Sequence, residues 1–347
     1  MLFLILACLS EKDITGISDI DTSTEDADSS PCFVSPLQDP YLIYATPYLE
    51  NGSQSSTWIL QPKNGSSQSF SMGRATTGTI SISTDGSWGA IPQGDGSLGI
   101  FRIQNGQITI LNEGLVLATD TQDIYTTQIW LDSDAGRLWA VDSNWPNNGG
   151  GLFFAYIDCE SGEIGFAEQV FSSKNAAIIA PFTSDSMIFL SREVNEQPQH
   201  LTIFDSETQE TMQTAQAFND DDSIFSTLAA DGQNILAGDN SAFSGIPNRI
   251  SHLKLTENIL EKQTTFEVED PISIKIHDGL ALISSGFGDA LWQYNLETAV
   301  LEQVPLSPSI ELPSGIIQRD EHFYVGEATG IRHLIIDNEY FVDQGYL

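Results

Sequence analysis

Basic residues are scarce in this chain. Its 347 residues include 13 Lys and Arg against 48 Asp and Glu, which gives a formal net charge of −35 at pH 7. A surface of this charge repels phosphate backbones, so a nucleic-acid-binding function is excluded. It also repels anionic lipid headgroups, so attachment to a membrane has to be covalent. The hydrophobic fraction of 40% is nevertheless sufficient for most of the chain to fold.

The chain also lacks the short motifs that mark several classes of enzyme. It contains no Gly-x-Ser-x-Gly elbow, no His-Glu-x-x-His helix, no phosphate-binding P-loop and no Cys-x-x-Cys pair. The last absence excludes a zinc site built from paired cysteines. No window has a sustained helical periodicity, so the sequence predicts an all-β fold. These absences favour a protein that is not an enzyme.

No hydrophobic run is long enough for a spanning helix, which needs about 20 residues. The apolar segment Met1–Leu9 is followed, from Ser10 to Ser30, by a tract with seven acids and one Lys. Ile5-Leu6-Ala7-Cys8 resembles the lipobox of bacterial lipoproteins. This resemblance implies a signal peptide at 1–7, acylation of Cys8 and a disordered acidic tether at 8–31. A start codon assigned too far downstream explains the missing basic n-region. An ordinary disordered N-terminus with an unmodified cysteine is the alternative.

Only three cysteines are present, which suits an exported protein. If Cys8 carries lipid, Cys32 and Cys159 remain as a candidate disulfide. Such a bond would tie the start of the folded domain to a distant turn and close a long loop. The alternative is two unrelated thiols.

A repeat of about 46 residues organises the rest of the chain. One marker is a strand that runs into a polar turn, as in Ile203-Phe-Asp-Ser-Glu-Thr and Gln293-Tyr-Asn-Leu-Glu-Thr. A second marker is a hairpin turn such as Ala229-Ala-Asp-Gly, because Asp and Gly both tolerate positive φ angles. Each unit is predicted to contain four strands. The clear units start near Thr79, Thr127, Ala176, Ile224, Ile272 and Ser314.

Four-stranded units in radial repetition form a β-propeller, which leaves no long unpaired edges. A weaker unit at Phe33–Met72 completes a seven-bladed β-propeller over residues 32–347. Six blades with an N-terminal extension are the alternative.

Two segments resemble blades of the YVTN/quinoprotein-like (WD40-like) propeller superfamily. They are Arg137-Leu-Trp-Ala-Val-Asp-Ser-Asn, with the strand that begins at Leu152, and Glu321-His-Phe-Tyr-Val-Gly. The literal Tyr-Val-Thr-Asn tetrapeptide and the Trp-Asp dipeptides are missing. The resemblance therefore implies the architecture, and it does not specify an activity.

Loop length indicates which face of this propeller binds a ligand or partner. The first-to-second and third-to-fourth strand turns are short, whereas the second-to-third loops are long and varied, and these lie on the opposite face. Unequal loops on one face of a rigid scaffold are typical of a binding surface. Aromatic side chains among Asn, Asp and Gly suit a peptide or sugar. The candidate binding residues are Asn144, Trp145, Asn147, Arg192, Asp239, Asn240, Phe243, Phe287 and Asp289.

A divalent cation in the central channel is the main alternative. The segment from Arg137 to Asp142 also resembles blades of lactonase propellers, which hold calcium by carboxylate and amide oxygens. By that resemblance, Ca²⁺ ligands could be drawn from Asp142, Asn144, Asp239, Asp289 and Glu327. The protein would then be a hydrolase. A redox quinoprotein is a weaker alternative, because no cofactor motif accompanies the blades.

The favoured interpretation is a binding or scaffold module that needs no cofactor. It is expected to be a monomeric outer-membrane lipoprotein of the bacterial cell envelope, facing the periplasm or the cell surface. Its expected partner is an envelope protein, a peptide or a glycan, and it contacts the membrane only through its lipid.

Overall fold

The protein folds into seven β-sheets, with no helix in the part of the chain that the structure describes. The computed structural model describes residues 6–8, 41–45, 57–62, 66–74, 80–83, 86–133, 135–142, 150–158, 161–172, 175–183, 186–192, 200–218, 225–240, 247–319, 321–328 and 330–347. Each sheet is one blade of a β-propeller.

The first three blades contain thirteen strands in chain order. Blade 1 consists of β1 (Leu6–Cys8), β2 (Tyr41–Ala45), β3 (Thr57–Pro62) and β4 (Gln68–Ser71). Blade 2 consists of β5 (Ser81–Ile82), β6 (Trp88–Pro92), β7 (Leu98–Gln104) and β8 (Gln107–Leu115). Blade 3 consists of β9 (Thr126–Asp132), β10 (Arg137–Asp142), β11 (Gly151–Asp158), β12 (Glu163–Ile164) and β13 (Glu168–Ser172).

The other four blades have four strands each. Blade 4 consists of β14 (Asn175–Pro181), β15 (Ser186–Arg192), β16 (His200–Asp205) and β17 (Thr211–Gln216). Blade 5 consists of β18 (Phe225–Ala230), β19 (Asn234–Asp239), β20 (Arg249–Thr256) and β21 (Ile259–Glu267). Blade 6 consists of β22 (Pro271–His277), β23 (Leu280–Ser285), β24 (Ala290–Asn295) and β25 (Val300–Gln303). Blade 7 consists of β26 (Ile316–Arg319), β27 (His322–Glu327), β28 (Gly330–Asp337) and β29 (Tyr340–Tyr346).

The blades are arranged in a closed ring. Strands pair antiparallel with their neighbours in the chain, and in blade 3 the fourth position is shared by β12 and β13. The first strands of successive blades contact one another, as β14 does with β9 and β18, and β22 with β18 and β26. The contact between β26 and β1 closes the ring. The first strands therefore lie innermost and the fourth strands form the outer rim.

Seven apolar cores hold the ring together, one at each seam between neighbouring blades. Successive side chains of a strand point to opposite faces of the sheet, so one strand contributes to two cores. In β10, Leu138 packs in the core shared with blade 2, whereas Trp139 packs in the core shared with blade 4. Trp58, Trp88 and Trp139 are fully buried in these seams. The same apolar strand pattern that marks the repeat thus builds the ring.

The prediction of seven blades is confirmed, and the alternative of six blades is wrong. Predicted units start near Thr127, Ala176 and Ile272, and the corresponding strands begin one residue earlier, at 126, 175 and 271. The weaker unit at Phe33–Met72 supplies β2, β3 and β4.

The innermost strand of blade 1 comes from the N-terminal segment. β1 pairs with β2 through Leu6 and Tyr44, Ala7 and Ile43, and Cys8 and Leu42. This strand lies upstream of residue 32, where the sequence analysis places the start of the propeller. Cleavage before Cys8 would remove two of its three residues. A four-stranded blade 1 therefore requires that the chain is not cleaved before Cys8.

A buried chain of hydrogen bonds crosses the seam between blades 5 and 6. His252 is 2% exposed, and its Nδ1 and Nε2 lie 3.1 Å from Tyr294 Oη and 3.1 Å from Asn234 Oδ1. Asn234 Nδ2 donates to Asp231 Oδ2 at 3.0 Å, so Asn234 Oδ1 accepts from His252 Nε2–H. The Tyr294 hydroxyl then donates to Nδ1, which only a neutral imidazole permits. Burial, assisted by the charge of Lys254, lowers the pKa of His252, and burial raises the pKa of Tyr294 to about 12.

We expect the free energy of unfolding to decrease as the pH falls below about 6.5. Below this pH, His252 binds a proton in the unfolded chain but stays neutral in the folded chain, because folding lowers its pKa. This group contributes at most about 1.4 kcal/mol per pH unit. Denaturant unfolding of the wild type and of His252→Gln, between about pH 7.5 and about pH 5, measures the contribution. Equal slopes in the two proteins would contradict it.

Candidate functional site

Three carboxylates predicted as cation ligands end the second strands of their blades. Asp142 ends β10, Asp239 ends β19 and Glu327 ends β27, and the three residues are 2%, 0% and 3% exposed. The loops that follow lie on the face opposite the short turns. Between β19 and β20 the loop covers residues 240–248, whereas the first-to-second turn between β22 and β23 covers only 278–279. The loop after Glu327 is an exception, because it covers only residues 328–329. We call the face with the second-to-third loops the long-loop face.

Asp239 is neutralised within its own blade. Its Oδ2 accepts from Arg249 Nε at 2.9 Å, and Arg249 is the residue directly opposite it on β20. The guanidinium also lies over the ring of Phe218, 4.9 Å from its centroid. A buried carboxylate paired in this way has its charge satisfied without a metal ion.

Glu327 belongs to a larger ionic cluster around Arg332, which is fully buried. Arg332 donates from Nε to Glu327 at 2.9 Å, from Nη1 to Asp343 at 2.6 Å and from Nη2 to the Tyr346 hydroxyl at 2.8 Å. Burial disfavours the charged guanidinium, but the hydrogen bonds and charges of the two carboxylates outweigh it and raise the pKa of Arg332. The second oxygen of Glu327 accepts from the amide of Glu311 at 3.3 Å. The cluster joins β27, β28 and β29 to the last inter-blade connection.

The carboxylates proposed as ligands of a divalent cation in the central channel already have hydrogen-bond partners within the protein. Asp239 and Glu327 have arginine partners, and Asp142 Oδ2 accepts from the amide of Tyr125 at 3.4 Å. Within the described segments, no group of three or more His, Cys, Asp or Glu residues could hold a metal ion. The carboxylates that the sequence analysis gathered into one candidate site therefore lie in blades 3, 5, 6 and 7, each with its own local partner.

A different arrangement brings the loops of blades 5 and 6 together. Asp270, in the connection before β22, is 3% exposed. Its Oδ1 accepts from Asn240 Nδ2 in the loop of blade 5, and its Oδ2 accepts from the amide of Phe287 in the loop of blade 6 at 3.0 Å. The Asp270 carbonyl accepts from Gly286 N at 2.9 Å. One buried carboxylate therefore fixes two loops of the long-loop face relative to each other.

The same loop of blade 6 is also fixed to the connection before β26. Asp289 Oδ1 accepts from the amide of Leu312 at 2.7 Å. The side chains that these bonds leave at the surface are apolar, because Phe287 is 60% exposed and Leu312 is 40% exposed. Glu269, Asp289 and Glu311, in the same loops and connections, are exposed as well. This part of the long-loop face therefore exposes two apolar side chains on hydrogen-bonded backbone, together with three acidic residues.

The structure places the predicted site residues in different surroundings. Asn240 and Phe287 both donate to Asp270, and Asp289 accepts from Leu312, whereas Asp239 is fully buried. Asp270 was not among the predicted residues, although an Asp directly before Pro271 at the start of a strand is a recognisable turn signal. Several predicted residues lie outside the described part of the chain: Cys32, Asn144, Trp145, Asn147, Cys159 and Phe243. For Cys8 and Arg192 only the backbone is described, in β1 and β15.

The chain is similar in fold to several solved structures. Hydrazine synthase from Kuenenia stuttgartiensis matches with a TM-score of 0.62 at 10% identity, over 85% of this chain and 92% of that chain. BamB from Moraxella catarrhalis matches with a TM-score of 0.54 at 13% identity, over 90% and 86%. The Dos1 propeller matches with a TM-score of 0.59 at 14% identity, over 88% and 82%. No family model and no curated protein matches the sequence. At these identities the likeness shows the β-propeller fold alone.

The described residues include no helix of the length and hydropathy needed to cross a membrane.

Proposed function

We propose that the protein is a binding module that engages a partner protein of the bacterial cell envelope through its long-loop face. The observation that carries this proposal is the position of Phe287. Its ring is 60% exposed, yet its amide is held by the buried carboxylate of Asp270. An exposed aromatic side chain on a fixed loop loses little conformational entropy on binding, and such residues dominate the binding energy of interfaces.

Leu312 and the acidic residues around it extend this surface. Interfaces combine an apolar centre with a polar rim, and here Glu269, Asp289 and Glu311 are exposed in the same loops and connections as Phe287 and Leu312. The binding reading is favoured over a hydrolase because Asp239 and Glu327 are engaged in ion pairs. We also propose a relationship to YVTN/quinoprotein-like propellers, supported by the motif at 137–142 that forms β10.

Site-specific photocrosslinking in the host cell tests this function. A photoreactive amino acid placed at position 287 should crosslink to one defined envelope protein. The same amino acid at position 257, in the exposed turn at the other end of blade 5, should not give that product. If both positions give the same products, or if position 287 gives none, the proposed interface is wrong.

We also propose that the protein is exported and held in the outer membrane by acylation of Cys8. The support is the Ile5-Leu6-Ala7-Cys8 motif together with a net charge that excludes electrostatic binding to anionic membranes. Several acyl chains give stable anchoring without a spanning helix.

We expect radiolabelled palmitate to enter the wild-type protein and not a Cys8→Ser variant. Mass spectrometry of the mature N-terminus should find acylated Cys8 as its first residue, so that β1 is lost from blade 1. Cys8→Ser should move the protein from the membrane fraction to the soluble fraction. A mature chain that retains Leu6 and Ala7, without lipid, would contradict the anchor and leave the binding function untouched.

A further inference from the structure

A groove runs along the outer rim between blades 6 and 7. It lies between β25 and β29, the fourth strands of these blades, and has a volume of about 880 Å³. This volume is within the range of ligand sites, about 300–1,000 Å³. The lining residues are Gln293, Glu302, Gln303, Pro305, Leu306, Ser307, Tyr340, Phe341, Val342, Asp343 and Gly345. The groove is separate from Phe287, which does not line it.

The groove combines acidic and apolar groups. It contains the carboxylates of Glu302 and Asp343 and no basic residue. Behind Asp343, the single guanidinium of Arg332 serves both Glu327 and Asp343, so this buried cluster carries a net charge of −1. With Glu302 the region has a charge of about −2 at neutral pH.

The apolar part of the lining is accessible from outside. Tyr340 is 56% exposed and Val342 is 37% exposed, and both belong to the outermost strand β29. Exposed apolar side chains next to the exposed carboxylate of Glu302 suit a ligand with alternating apolar and cationic groups.

The edge of β29 is already partly occupied by side-chain hydrogen bonds. The amide of Phe341 donates to Gln293 Oε1 at 3.2 Å, and the amide of Gly345 donates to Asp343 Oδ1 at 2.9 Å. Gln293 Nε2 in turn donates to Glu302 Oε2 at 3.3 Å. A ligand that added a strand to β29 would have to break the first two bonds. Recognition in the groove therefore uses side chains.

We propose that this groove binds a basic segment of a partner protein. A Lys or Arg side chain of that segment contacts the exposed carboxylate of Glu302, and its apolar neighbours pack on Tyr340 and Val342. The net charge of −35 supports such a partner, because it raises the local concentration of basic segments. This site adds to the long-loop face and does not depend on it.

The test measures fluorescence anisotropy with a labelled peptide that alternates Leu and Lys. The protein variants are Glu302→Gln and Tyr340→Ser. The matched controls are Glu257→Gln, which removes an exposed charge in blade 5, and Ile259→Ser, which removes a 58% exposed apolar side chain from β21. Each groove variant should weaken binding about 5-fold or more, whereas each control should change it less than about 2-fold.

Three results would overturn the proposal. The first is an absence of binding below about 1 mM, the range of weak specific complexes. The second is equal weakening by the groove variants and the controls, which would indicate general attraction to an acidic surface. The third is equally tight binding of N-acetyl-lysine amide, which would make the groove a site for small amines. None of these results would affect crosslinking at position 287, so the two proposals are tested independently.

Discussion

Replacing Arg332 with methionine is expected to lower the free energy of unfolding by about 3–5 kcal/mol. The Arg332 side chain is fully buried, and the side chains of its partners Glu327 and Asp343 are 1% and 11% exposed. Methionine fills most of the space but leaves two carboxylates buried without their cation, and this desolvated charge causes the loss. Denaturant unfolding followed by intrinsic fluorescence measures the change.

The exposed ion pair of Arg74 with Asp95 provides the matched control. Its side chains are 44% and 50% exposed, so Arg74→Met should cost no more than about 1 kcal/mol. Adding Glu327→Gln to Arg332→Met should restore part of the lost stability, because it removes one of the two uncompensated charges. The importance of the cluster would be refuted if Arg332→Met cost no more than Arg74→Met.

Phe287→Ala is expected to weaken binding of the crosslinked partner by at least about 30-fold, which corresponds to about 2 kcal/mol. The ring is more than half exposed, so its removal should change the melting temperature little. Titration of the purified partner by calorimetry measures the dissociation constant. Asp270→Ala should also weaken binding while Phe287 is still present, because Asp270 acts by positioning the loop.

Phe166→Ala is the matched control for this experiment. Phe166 is 74% exposed and lies on the rim of blade 3 between β12 and β13, away from the long-loop face. The same loss of an exposed aromatic ring should leave the affinity unchanged within about 2-fold. Equal losses from Phe166→Ala and Phe287→Ala would mean that the partner does not recognise the long-loop face.

The strands could be predicted because their signals are local. In a strand, alternate side chains face opposite sides, and an Asp-Gly pair favours the tight turn between strands. The pattern around Thr127 and Arg137 therefore located β9 and β10 to within one residue. Blade 1 was harder to define, because its inner strand, β1, is separated from β2 by more than thirty residues of polar chain. No local pattern connects such a strand to its sheet.

The candidate site could be predicted less well, because the role of a carboxylate depends on its neighbours in space. Asp239 and Asp289 look alike in the sequence, yet one is fully buried against Arg249 and the other is exposed and holds the amide of Leu312. Asp270 joins Asn240 to Phe287 across distances in the chain that no motif spans.

The sequence by itself determined the acidic charge, the all-β class and the seven repeated units, because these follow from composition and from interactions between residues close in the chain. Only the tertiary structure decided which carboxylates are buried in ion pairs, which loops are fixed together and where a groove remains between blades 6 and 7. Closing the ring brings distant side chains into contact, and burial then sets the cost of leaving each charge without a partner.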